Sequence, residues 1–195
     1  MAITYPLSTP TTIGIESITL RTYNAVATSQ SPFTYKQQVV SFGGQKWEAD
    51  VSIPSTRRDL SAEWTAMLVA LKGQTGTFLL GDPDYVTPRG DASYCAVTGE
   101  AGQESVSVAL TGTLKAGDYI QLGSGSSARL HKVLIEQTGS GTLEIWPSLR
   151  NDYTSSAAVL DSPKGVFRLK ENVTSWSINN ASAYGISFSA VEAIT

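Results

Sequence analysis

The chain has 195 residues, of which 41% are hydrophobic and 16% charged, with a formal net charge of -3. That length holds one substantial domain or two small ones, and the balance excludes a disordered tail or a coiled coil, both of which are richer in charge. No basic run exceeds the pair Arg57 and Arg58, so the electrostatic footprint of a nucleic-acid binder is missing.

The start of the chain, MAITYPLSTP, has neither the basic end nor the apolar centre of a secretion signal. No apolar stretch approaches the roughly 20 residues that span a bilayer, so the expectation is synthesis in the cytoplasm without membrane insertion. The single cysteine, Cys95, excludes an internal disulfide and reads as a packing residue.

The first clear element lies in VVSFGGQKWEADVSIP, where Trp47, Ala49, Val51 and Ile53 alternate with Lys46, Glu48, Asp50 and Ser52. That period of two predicts a strand with one face buried. Gly43 and Gly44 predict a tight turn, with a strand ending near Phe42 folding back as a hairpin. Leu60, Trp64, Met67, Leu68 and Leu71 then recur at helical spacing, predicting a helix over 57–72 with its stripe against a sheet. Thr56 and Asp59 have capping-box spacing, and Gly73 fits the position past the C-terminus.

TGTFLLG predicts a short strand carrying Phe78 and Leu80 on one side. From Asp82 to about Ser105 the chain is rich in Gly, Pro, Asp, Ser and Thr, which reads as turns and a boundary. SVSVAL, GDYIQLG, ARLHKVLIE, GTLEIWPSL and KGVFRL then follow at spacings near ten residues, which predicts a small antiparallel barrel. The tail predicts two more strands, one with Trp176 and Ile178, the other with Ile186 and Phe188, joined by a turn at Asn179 and Asn180. These resemble the first strands more than the barrel pieces. The expected fold is therefore mainly β: a β-sandwich with one packed helix over 1–85 and 171–195, and an inserted small β-barrel over 86–170.

Chemical motifs are sparse. Asp82 and Asp84 in GDPDY flank a proline, but Thr87, Pro88, Arg89 and Gly90 follow where a calcium loop needs further oxygen ligands, so they read as turn formers. His131 is the only histidine, with no His-Glu-x-x-His, Gly-x-Ser-x-Gly or Cys-x-x-Cys pattern to join it. LGSGSSARL lacks the Gly-Lys-Ser or Gly-Lys-Thr of a phosphate loop and reads as a hairpin loop. Trp47, Trp64 and Trp176 read as core, and Trp146, which shares its face with Glu144, is the weakest candidate for burial. No catalytic residue, metal ligand or cofactor site is expected.

Taken in order, the N-terminal sheet, RRDLSAEWTAMLVALKGQTGTFLLGDPDY, LKAGDYIQLGSGSSARLHKVL, GTLEIWPSLR and KGVFRL resemble the distal tail protein family of long-tailed bacteriophages. The resemblance runs from about Ser31 to Ile194 and rests on the order and spacing of segments. It implies a structural, non-enzymatic virion protein at the tail tip, a ring and commonly a hexamer, joining the tail tube protein to the tail hub protein. It also implies a channel that admits the tape-measure protein and passes DNA in transit. A head-to-tail ring needs two different surfaces per subunit, and exposed strand edges supply one kind. TYNAVATSQSPFTYKQQ fits an edge or subunit arm, with Tyr23, Phe33, Tyr35 and Gln37 as interface candidates. A different reading is a carbohydrate-binding β-module, which predicts Trp146 exposed with Tyr119 or Tyr153 in one groove. A third, a hydrolase, predicts that Asp82, Asp84 and His131 converge around a pocket.

Overall fold

The structure, a computed structural model, describes residues 3–179 and 183–194. In chain order the elements are β1 (Ser17–Gln30), β2 (Gln37–Arg57), α1 (Arg58–Ala70), β3 (Phe78–Leu80), β4 (Tyr94–Gly99), β5 (Ser105–Thr111), β6 (Thr113–Leu114) and β7 (Tyr119–Leu122). A 3-10 turn (Gly125–Ser127) leads to β8 (Arg129–Val133), β9 (Gln137–Thr138), β10 (Gly141–Trp146), β11 (Tyr153–Ala157), β12 (Gly165–Leu169), β13 (Trp176–Ile178) and β14 (Ala183–Glu192). The fold is mainly β, with one α-helix among the described residues.

Two six-stranded antiparallel sheets dominate. The first has the order β1-β2-β14-β12-β3, with β13 also paired to β14. Its register places Ile18 opposite Val51, Leu20 opposite Ala49, Phe188 opposite Val51 and Ile186 opposite Ile53, so the alternation seen around Trp47 builds one continuous apolar face. The layer over that face consists of α1, the N-terminal segment and Tyr119, Leu130 and Trp146 from the second sheet and its loops, the second unit of the fold. The second sheet, β11-β4-β5-β10-β8-β7, curls around Val97, Val108, Ile120, Val133 and Leu143. Its outermost strands are drawn together beyond β11 by a bridge in which Gln121 and Val159 exchange both backbone hydrogen bonds at 2.9 Å. A sheet that curls this far leaves few backbone groups at a free edge.

Several expectations are corrected. Gly43 and Gly44 do not turn the chain: β2 runs through them, and the β1–β2 turn lies at Ser31–Lys36, where the Ser31 N–H donates to the Lys36 carbonyl at 3.0 Å. Register passes from Asn24 opposite Gln45 to Val26 opposite Ser41, so Ala25 faces the three residues Phe42, Gly43 and Gly44. The glycines therefore make a bulge, with Gly43 at a φ of 71° that other residues resist. The helix starts directly from β2, so Thr56 is still strand, paired with Tyr184, and caps nothing. The Ser61 hydroxyl instead donates to the Arg57 carbonyl at 2.8 Å. Ser61, Trp64, Met67, Leu68 and Leu71 face the sheet, while Leu60 points to water.

KGVFRL, expected in the barrel, is β12 of the first sheet, pairing with β3 and β14. The stretch expected to be turns contains β4, whose Cys95, Ala96 and Val97 are all buried. The tryptophan order is reversed: Trp146 is buried in the core and Trp176 is 38% exposed on β13. β13 and β14 do form the expected hairpin, Trp176 opposite Ile186. The Asn179 side chain accepts from the Ala183 N–H at 3.0 Å, and Asn180 lies outside the described residues.

Candidate assembly interface

The least self-satisfied part of the molecule is the distal half of the β1–β2 hairpin. Every residue from 21 to 44 except Ser31 is exposed, although the segment is an antiparallel ladder broken only by the bulge and the turn. A strand pair exposed on both faces is a ribbon that leaves the globule, because packing against any other element would bury one of its two alternating sets of side chains. Its surface is apolar as well: Val26, Phe33, Val39, Val40 and Phe42 are open to water, Phe33 by 91%. Between residues 22 and 45 the only charge is Lys36. An isolated two-stranded hairpin is marginal in water, and an apolar one with free edges invites pairing with another chain.

The root of this arm is held by the second unit. Asn24 and Gln45, the cross-strand pair just before the bulge, both bond to the segment around β10. Trp146 donates its indole N–H to Asn24 Oδ1 at 2.9 Å while its ring stands edge-on to Trp47, centroids 4.6 Å apart. The Ser148 N–H donates to Gln45 Oε1 at 2.7 Å, and the Gln45 amide donates to Glu104. Arg150 donates to the Gln45 carbonyl at 2.6 Å and forks onto Glu192 at 2.9 and 3.2 Å. Glu192 also accepts the Trp47 N–H at 3.1 Å. This ion pair is nearly excluded from water, with side chains 13% and 3% exposed. A bidentate arginine–carboxylate pair fixes angles as well as distance, so the arm emerges from a stiff collar.

The four interface candidates all lie on the hairpin. Tyr23 sits at the root under Lys46, whose ammonium is 5.2 Å from the ring centroid. Phe33 and Tyr35 are in the tip, Tyr35 with a φ of 57° and 74% exposed. Gln37 opens β2 opposite Gln30. What the sequence reading missed is the continuation of the arm surface beyond Gln38, with Val39, Val40 and Phe42. The uncharged run broken only by Lys36 was the available signal. The collar left no signal, because Asn24 and Trp146 are 122 positions apart.

The other candidates have structural partners. Asp82 Oδ1 accepts the Asp84 N–H at 3.1 Å, an Asx turn closed by the Tyr85 N–H on the Asp82 carbonyl at 3.2 Å. The cavity of about 310 Å³ that Asp82 helps to line is bounded by Trp64, Tyr85 and Pro163 and does not include His131. His131 is fully buried, with Nδ1 2.7 Å from the Pro147 carbonyl. A carbonyl only accepts, so Nδ1 carries the proton and Nε2 is left bare with no partner. Burial, with Arg150 and Arg129 nearby, pushes its pKa down to about 4 despite the Pro147 bond, so the ring is neutral at pH 7. Burial likewise pushes the Cys95 thiol up to about 11. Trp146 and Tyr119 are buried, so the stacking platform named for sugar binding is not formed by them.

Among the described residues no group of three or more His, Cys, Asp or Glu side chains stands close enough to hold a metal ion. No helix among them is long and apolar enough to cross a membrane. No protein-family model and no curated protein sequence matches the chain.

Proposed function

We propose that the chain is a structural virion protein that assembles into a ring at the distal end of a phage tail, between the tail tube and the hub. The observation that carries the assembly part of this reading is the arm: a ladder over residues 21–44, exposed on both faces and apolar at its tip, fixed in direction by the Trp146 and Arg150 collar. Such a ribbon is marginal in water by itself and gains stability from a surface that covers it. The placement at a tail tip, the hexameric count and the passage of DNA and tape-measure protein rest on the resemblance of segment order. The mechanism is assembly: arms clasp neighbouring subunits, one face of the ring meets the tube, and the other meets the hub.

The test replaces Phe33 and Tyr35 together with aspartate. The arm tip makes no core contact, so folding stability stays within about 0.5 kcal/mol of the parent, while multimers seen by light scattering and incorporation into tails seen by cryo-electron microscopy are lost. Unchanged assembly by that variant, or density for this chain away from the tube–hub junction, refutes the reading.

A further inference from the structure

The outer face of the first sheet carries a second surface, a recess. Across three strands the register aligns Ser17, Ser52 and Ser187 in one row and Thr19, Asp50 and Ser189 in the next. Small side chains in two adjacent rows leave a depression, and the segment that includes Glu171 and Val173 walls one side of it. The result is a groove of about 480 Å³. Its floor offers hydroxyls, and its only charged lining residues, Asp50 and Glu171, are acidic. Asp50 is already engaged by Arg21 and by the Ser189 hydroxyl at 2.6 Å.

We propose that this groove receives the arm tip of a second copy of the chain, with Phe33 and Tyr35 as the knobs and Lys36 facing Glu171. The proposal rests on the ring reading above and names the site that reading leaves open. Three features support it. Large exposed aromatics on one surface meet short side chains on the other, so the volumes are complementary, and the Tyr35 hydroxyl can bond the hydroxyls of the floor. The charge at the arm's tip, Lys36, is positive and the groove's are negative. Finally, groove and tip lie at opposite ends of the same hairpin. From Thr19 to Gln30 the strand spans up to about 37 Å at its usual rise per residue. The arm leads away from its own groove, so the tip of a second copy, not its own, is the one that can enter, which is the head-to-tail contact a closed ring requires.

The test mixes two variants of the full chain that each add one cysteine and keep both aromatic knobs, Thr34→Cys and Ser187→Cys, under mild oxidation. Cys95 is fully buried and does not compete. A disulfide needs Cα atoms within about 7 Å, so the mixed species forms only if a tip enters a neighbour's groove. The expected result is a mixed dimer from the two variants and a ladder of higher species from the double variant. Glu171→Lys should lower the yield by about twofold to fivefold, and adding Lys36→Glu should restore it. Absence of the mixed dimer, or a yield that ignores both charge changes, overturns the proposal. The two failures separate by light scattering on the parent chain. Multimers that vanish with Phe33→Asp and Tyr35→Asp but give no mixed disulfide leave the assembly reading standing with another docking site. A parent that never multimerises and gives no mixed disulfide refutes both.

Discussion

Replacing His131 with glutamine removes the one imidazole of the chain from the core and should change how stability depends on pH. In the folded protein His131 is neutral, its pKa pushed down to about 4 by burial and by Arg150 and Arg129, against an ordinary value of 6.5. The unfolded chain therefore binds a proton below pH 6.5 that the folded chain refuses until pH 4. Stability from this group is complete above 6.5, falls as pH drops through the window, and levels off below 4. The loss amounts to about 2 kcal/mol at pH 5 and about 3 kcal/mol at pH 4. The assay is urea unfolding of parent and His131→Gln from pH 8 to 4.5, read by tryptophan fluorescence because Trp47 and Trp146 lie in the core that α1 shares with the second unit. Carboxylate titrations common to both proteins cancel in the difference. The parent should lose its advantage, or deepen its deficit, by about 2 kcal/mol between pH 7.5 and 5. A difference that stays flat across that range refutes the burial argument.

Glu192→Gln leaves Arg150 in the collar without its counter-charge and should destabilise by about 3 kcal/mol in denaturant unfolding, because a half-removed buried pair is worse than none. Trp146→Phe keeps the aromatic edge against Trp47 but drops the bond to Asn24; stability should fall by about 1 kcal/mol, and amide hydrogen exchange over 24–30 should quicken while the rest of β1 holds. Asp82→Asn with Asp84→Asn keeps an Asx acceptor at the turn, so the melting temperature should move by no more than a degree or two. Loss of a bound metal or of an activity on that change would overturn the turn assignment.

The elements that could be read directly were those whose period survives without knowledge of partners. Trp47, Ala49, Val51 and Ile53 form one buried face, and the spacing of Trp64, Met67, Leu68 and Leu71 does place them on one side of α1. Leu60 misled because the strand runs straight into the helix and sets its rotation, which turns Ser61 toward the sheet. Gly43 and Gly44 carried a real signal for positive φ at the first of them, but a bulge and a turn use the same residue type. Which of the two forms depends on whether a partner strand continues on the other side, and β1 does.

The arm was partly legible. Tyr23, Phe33, Tyr35 and Gln37 were named from a polar, β-prone stretch, and the structure places all four on one exposed ribbon. The ribbon continues past that stretch into Val39, Val40 and Phe42, which apolarity alone assigns to a core. Trp146 and Trp176 show the same difficulty in reverse: each sits in a short strand, and only the packing of the two units decides that one meets Trp47 and the other meets water.

By itself the sequence determined a mainly β chain with one amphipathic helix, a turn at Asp82–Asp84 and no local motif of catalysis or metal binding, because each of these follows from spacing within a few residues. The tertiary structure alone decided that KGVFRL joins the first sheet, that Asn24 and Gln45 meet Trp146, Ser148 and Arg150, and that the hairpin beyond them stands free. Those contacts join residues up to 122 positions apart. Hydrogen bonds and burial at such separations depend on how sheets are ordered in space, and a local pattern carries no information on that order.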